Sequence, residues 1–500
     1  MAKLVLSGVA GVLIGLAAVL FVVGRGDEPE RPYRVPGALP DDPFVTVEKG
    51  GLIADIDYYL AIIDEAHADP YRKVTREALR AKAEAVKEHI RNLESPGIPL
   101  IRAFFLLQEV AAFIEDEHTS VYYNDNWNRS WPQTFPLELR ILDEGVYVLR
   151  DRSDAGVPER AELLEIDGRP MADLIAQCWR FTNQTLPHYK RQILEKSFGH
   201  LLQALLEIPP PWRIGYRHEG LEQTVELAPL DAEKTSGSTP YEYGESALEV
   251  NGRRVPVLDI PRFYSDDRPA YDAFMADFFA RHESEPALVI DLRKNPGGDG
   301  RWAYAVLDYL TDTPYLTHER FDFRISQPFV DVARFSFEHR LWEEGWPRLL
   351  WWLPRSIVGE DYWIDRIEAA DVGDVAVEHD AYHTPDPEKS TYRGDVYLLV
   401  SHQTNSAAVV FAAIFAYHGM GTIVGRETGG RTLFSSDSIS IEMPHSQLYV
   451  WVPVAVLALP DSTADRGVVP DVEVEITLDD SRSGHDKDLE KVRELIAHSL

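Results

Sequence analysis

The 500-residue chain has a single cysteine, Cys178. One thiol cannot close an intramolecular disulfide, and with no CxxC pair or Cys/His cluster there is no signature of structural zinc. Cys178 reads as a small buried apolar residue, and no cofactor is expected. Positive charge is scarce as well. Fifty Lys and Arg against 82 Asp and Glu give a formal net charge of −32. A surface of that sign repels phosphate backbones, which argues against a nucleic-acid partner. Glycine and proline are too few for a disordered chain. No lysine occurs between Lys389 and Lys487. A serine nucleophile in that stretch therefore has no nearby lysine to serve as its base.

A long uncharged run stands at the N-terminus. LVLSGVAGVLIGLAAVLFVV, residues 4–23, is apolar on every face. At ~1.5 Å per residue it spans about 30 Å, the thickness of a bilayer's hydrocarbon core. Lys3 precedes it, and Asp27, Glu28 and Glu30 follow. Residues 1–25 read as a signal anchor with the bulk of the chain outside the cytoplasm, a cleaved signal peptide being the close alternative. The proline-rich segment 26–48 is a tether.

Beyond the tether the texture changes several times. Residues 49–132 carry apolar positions at helical spacing. Residues 133–230 are short alternating strands around an Asp-Gly turn, and 231–247 form a polar linker. From 248 to 500, short β-branched runs such as ALVIDL, DVYLLV and GTIVG alternate with helical patterns, which predicts an α/β domain with buried parallel strands. Residues 315–390 read as an insertion into it, containing Trp342, Trp346, Trp351, Trp352 and Trp363. Core packing accounts for these tryptophans most simply; a lid or a membrane contact is the sharper alternative.

In such domains functional groups collect in loops at the carboxyl ends of strands. Two loops stand out. DLRKNPGG, 291–298, ends in Gly297 and Gly298, which allow close backbone approach and present N–H groups. SHQTNSAA, 401–408, places Ser406 where a strand becomes a helix. Unpaired helix N–H groups would stabilise an oxyanion there, but the same position suits an ordinary N-cap. A nucleophile needs a base, and the histidines to weigh are His118, His402, His418 and His445. His118 follows a long buried helix, with Glu115, Asp116 and Glu117 beside it to favour an imidazolium.

The ordered set of motifs resembles the S41 family of serine peptidases, the carboxyl-terminal-processing and tricorn-core type. DLRKNPGG, TNSAA (404–408), GRETGG (425–430) and DRGVVPDVEV (465–474) carry the likeness, with EDEHT (115–119) similar to the His-bearing segment of some branches. The resemblance implies a crotonase/ClpP-like α/β peptidase core, and a PDZ-like module at 133–230 that takes up peptide strands. It implies Ser406 as nucleophile, His118 as general base, and an oxyanion hole from Gly297, Gly298 and Ala407. Where lysine-using branches carry their base, this chain has Arg431, which stays protonated, so either a histidine-using branch or an inactive chain is implied. Tricorn-like members carry a glutamate where this chain has Ala464. Asp465 is the candidate acid, with Asp437 and Asp461 as competitors. The expected activity is that of a membrane-anchored extracytoplasmic endopeptidase acting on peptides or proteins. The alternatives are a binding protein on the same scaffold, or an esterase or amidase.

Overall fold

Helix α1 (Lys49–Ala66) buries Leu52, Ile56, Tyr59 and Ile63, a stripe at helical spacing that packs inward. Helix α2 (Arg76–Asn92) starts at Thr75, whose hydroxyl accepts the Ala78 N–H at 3.1 Å. Helix α3 (Leu100–Ala112) is buried along almost its whole length. This computed structural model describes residues 29, 39–231, 242–348, 351, 362–368, 370–478, 480 and 485–499. The apolar run at 4–23 and most of the 26–48 tether lie outside the described residues, as does Trp352. Among the described residues no helix is long and apolar enough to cross a membrane.

Residues 135–227 have a core of their own, centred on Phe198, Trp212 and Ile214. Five strands, β1 (Leu137–Ile141), β2 (Val146–Asp151), β3 (Glu162–Ile166), β4 (Trp212–His218) and β5 (Leu221–Leu227), form an antiparallel sheet in the order β5-β4-β3-β2-β1. Along β1 buried and half-buried residues alternate, as expected of a sheet with one covered face. Helices α4 (Met171–Trp179) and α5 (Pro187–Ala204) belong to this module and contribute Leu174, Cys178, Leu194 and Phe198 to its core. The loop between them, 180–186, points toward the rest of the chain.

The third part is a two-sheet α/β domain. Strands β6 (Gly244–Val250) and β7 (Arg253–Asp259) form a hairpin. Helix α6 (Arg268–Arg281) then leads to β8 (Ala287–Asp291), which lies parallel to β7. Helix α7 (Gly300–Leu307) follows the glycine loop.

The segment 315–390 supplies β9 (Tyr315–Arg324), α8 (Gln327–Glu343), α9 (Tyr362–Glu368) and β10 (Val375–His383). It is no separate appendage, because β9 pairs with a later strand of the domain. The chain continues through β11 (Asp395–Val400), α10 (Ala407–Tyr417), β12 (Thr422–Gly425), β13 (Leu433–Glu442), β14 (Tyr449–Ala458), β15 (Val472–Glu473) and α11 (Lys487–Ser499). One sheet runs β6-β7-β8-β11-β12-β15, parallel from β7 onward; the other runs β10-β9-β14-β13 and is antiparallel. Strands β8 and β11 are direct parallel neighbours, so the loops at their carboxyl ends emerge side by side. Their sequences, ALVI and VYLLV, are buried because both faces of the sheet are covered.

Candidate active site

The two strand-end loops are tied together before either reaches its functional residues. The Thr404 hydroxyl donates to Leu292 O (2.8 Å) and accepts the Ser401 N–H (3.0 Å). Asn405 N–H donates to Asn295 O at 3.0 Å, and the Asn295 amide donates to Ile260 O at 2.9 Å. On the far side, Gly429 N–H donates to Thr404 O at 2.8 Å. Thr404 and Asn295 are fully buried, so these bonds are formed away from water and hold the backbone in one arrangement.

Ser406 is the residue this frame presents. It stands at the N-cap of α10 with φ +50° and ψ −122°, a left-handed conformation that costs a side-chain-bearing residue of order 1–3 kcal/mol. Its side chain makes no capping bond to the helix. The capping explanation for this serine is thus set aside, and the strained strand-to-helix turn exposes its Oγ. Gly297 shows why the opposing loop carries glycine. A Cβ there would lie 2.6 Å from Ser406 Cβ and 3.0 Å from Ala407 N, and the backbone φ is +109°.

The expected oxyanion donors need one correction. Gly297 N–H donates to the Asn295 side-chain oxygen at 2.8 Å and is already taken. Gly297 therefore contributes proximity rather than a donor. The carbonyl of Gly297 accepts from Phe263 N, and Phe263 O accepts from Asp299 N, both at 2.9 Å. These bonds fix the backbone on either side of Gly298 while leaving its own N–H unengaged by the described residues. Ala407 N–H, at the first turn of α10, is likewise free of any protein acceptor there. Gly298 and Ala407 can supply two N–H groups to a developing oxyanion beside Ser406.

His118 comes from elsewhere in the chain. Helix α3 ends at Ala112, and His118 lies on the irregular segment that follows it. After Glu115, at φ +57°, the chain turns, and Ser120–Val121 pairs with β14 as an edge strand of the second sheet. That pairing brings His118 to the serine: Nε2 lies 3.3 Å from Ser406 Oγ. The ring stacks on Phe434 (centroids 5.6 Å apart, 25° between planes), and Ser438 Oγ donates to His118 O at 3.2 Å. Enclosure holds the imidazole below its usual 6.5, with the nearby Asp116 carboxylate pulling the other way. The ring is consequently neutral near pH 7, the state a proton acceptor requires.

The structure does not bring Asp465 to this ring. Its carboxylate is occupied by Lys73 and by Arg431, the latter at 2.7 Å. Asp437 lies on β13 with φ +51°, bonded to Ser436 Oγ (3.2 Å) and Trp363 Nε1 (3.4 Å). Asp461 N–H bonds to Glu319, away from the site. Among the described residues, His118 Nδ1 is buried without a hydrogen-bond partner. The acid whose charge acts on the base is Asp116, whose Oδ1 accepts the His118 backbone N–H at 2.9 Å. Burial alone would push the Asp116 carboxyl up, but His67, His118 and Ser435 hold it below the usual carboxylate range. His67 lies 3.8 Å away and is neutral, since burial lowers it to about 4. Its Nδ1 accepts the Asp69 N–H (3.0 Å), which leaves the Nε2–H for Thr119 Oγ1 at 2.8 Å.

For two residues the sequence did not show the contacts: Glu117, read there only as a charge beside His118, and Asn295 of the glycine loop. Glu117, beside His118, is enclosed enough to have its carboxyl pushed up to about 7, and it accepts from Thr185 Oγ1 at 2.7 Å. Asn295 engages both the Ser406 loop and Gly297, through its backbone oxygen and side chain. Each sits inside a recognised motif, but neither hydrogen bond has a signature in local sequence. His402 is turned to Glu427 O (2.9 Å) and packed on His188, and His418 and His445 bond elsewhere.

No curated protein matches the chain. Among solved structures, mature CPAF complexed with lactacystin is similar at 17% identity, over 90% of this chain and 98% of that one, with a TM-score of 0.63. Mature CPAF alone gives 17% identity, coverage of 90% and 97%, and a TM-score of 0.62. These likenesses show a shared fold over the module and the α/β domain together. The photosystem II D1 C-terminal processing protease is more distant, at 14% identity, coverage of 91% and 98%, and a TM-score of 0.41. The model of peptidase family S41 matches residues 254–474, a span that takes in both strand-end loops and Ser406, and this part of the chain is a serine-peptidase domain of that family.

Proposed function

We propose that the chain cleaves peptide bonds through an acyl-enzyme on Ser406 with His118 as its general base. The Ser406 Oγ–His118 Nε2 distance of 3.3 Å carries this reading. Nε2 takes the hydroxyl proton as Oγ adds to the scissile carbonyl carbon. The carbonyl oxygen becomes an oxyanion, held by the N–H groups of Gly298 and Ala407. Collapse breaks the C–N bond, and His118 returns the proton to the departing amine. Water, deprotonated by the same nitrogen, then releases the acyl group. No lysine takes part. Asp116 supplies the negative charge that steadies the imidazolium, in place of an acid hydrogen-bonded to Nδ1.

The uncharged run at 4–23, with Lys3 before it and acids after, supports a single membrane anchor and a catalytic part held outside the cytoplasm. A fluorophosphonate probe tests the chemistry. Wild-type protein is expected to label once, on the peptide containing Ser406, and Ser406→Ala not at all. Equal labelling of the two proteins would refute the assignment.

A further inference from the structure

The loop that carries His118 has little regular structure of its own, so something else must hold it. Asp116, Ser438 and Phe434 contact His118 directly, and the strand-rich module supplies a second set of restraints. The Asn183 side chain donates to Glu117 O at 2.6 Å. Thr185 Oγ1 donates to Glu117 Oε1 at 2.7 Å, and Thr185 N–H approaches the same oxygen at 3.3 Å. On the other side of the base, the buried Gln108 accepts from Val121 N–H (2.8 Å) and donates to Phe181 O (2.9 Å). Phe181, Asn183 and Thr185 all belong to the α4–α5 loop, so residues 117 and 121, flanking His118, are fastened to one short stretch.

That stretch and the first turn of α5 are anchored in turn to the segment behind the nucleophile. Arg431 Nε donates to Thr185 Oγ1 at 3.0 Å, and His188 Nε2 meets Thr428 O at 3.0 Å. Tyr189 packs where a Cβ on Gly429 would come within 2.9 Å of its ring, and Gly429 N–H bonds to Thr404 O two residues before Ser406. The Thr185 hydroxyl has one proton to give and lone pairs to accept with. It gives the proton to Glu117 and receives one from Arg431, so it links the two halves of the site through a single atom.

We propose that Asn183 and Thr185 are positioning residues for the base: through Glu117 they hold the His118 loop, so the seating of the strand-rich module sets the Ser406–His118 distance. This rests on the Ser406–His118 reading. A shift of about 1 Å in a catalytic group can cost up to ~100-fold in rate, and loosening one side of the loop is expected to cost about tenfold.

The test compares the full chain with Thr185→Val, Thr185→Ser and Asn183→Ala, reading kcat and KM on a peptide substrate together with the fluorophosphonate labelling rate per folded molecule. Thr185→Val is expected to lower kcat and the labelling rate about tenfold with KM within about twofold; Thr185→Ser, which keeps the hydroxyl, should return both to near wild type. Asn183→Ala should lower kcat in the same direction, and it decides the matter if Thr185→Val does not fold. Wild-type kcat in Thr185→Val, no rescue by serine, a rise in KM alone, or an unaffected Asn183→Ala would each overturn the proposal. Failure of wild-type protein to label at Ser406 would instead remove the reading beneath it.

Discussion

The two halves of the active site are built in different ways. The nucleophile half comes from adjacent parallel strands, β8 and β11, whose loops interlock through buried bonds from Thr404 and Asn295 and through the missing side chain of Gly297. The base half is a short irregular segment after α3, stitched to the edge of β14 and fastened by Asp116, Ser438, Phe434 and the α4–α5 loop. The first half is set by one sheet, and strain at Ser406 is tolerated because the frame around it cannot relax. The second is set by three parts of the chain meeting. The serine is therefore the rigid partner of the pair, and the distance to it is governed by whatever places the histidine.

Substitutions that separate the halves should differ in size. Gly297→Ala forces a Cβ to 2.6 Å from that of Ser406, at a φ that alanine resists. A loss of ~100-fold or more in kcat is expected, with the fold retained by circular dichroism; turnover near wild type would mean the loops are not locked. Asp116→Asn keeps an acceptor for the His118 N–H and removes the charge. Activity should fall about tenfold, and the acidic limb of kcat/KM should move to lower pH, because the Asp116 charge raises the imidazole's basicity. An unmoved limb would remove Asp116 from the account. Asp465→Asn cuts an exposed pair with Lys73 and Arg431 and should change kcat less than about twofold.

Legibility followed the same division. The parallel strands showed as uninterrupted apolar runs such as ALVI, and the two loops at their ends carried ordered motifs, so the fold class could be read from the chain. The strands at 315–324 and 375–383 did not look like part of the domain, because β9 finds its partner, β14, more than a hundred residues later. At the site, the place of Ser406 at a strand-to-helix turn is a local property. The engagement of Gly297 N–H by Asn295, and of Asp465 by Lys73, depends on side-chain directions that periodicity does not encode. The path to His118 was equally hidden: neither the end of α3 at Ala112 nor the positive φ of Glu115 before the histidine has a signature in periodicity.

The most direct measurement is the pH dependence of fluorophosphonate labelling at Ser406 in wild type and in His118→Ala. A neutral His118 must accept the proton, and its pKa lies below the ordinary 6.5. Wild-type labelling should stay high through neutral pH and fall only as the pH drops through a value below 6.5. His118→Ala should label at least ~100-fold more slowly, without that limb. An unchanged rate and profile in His118→Ala would contradict the account.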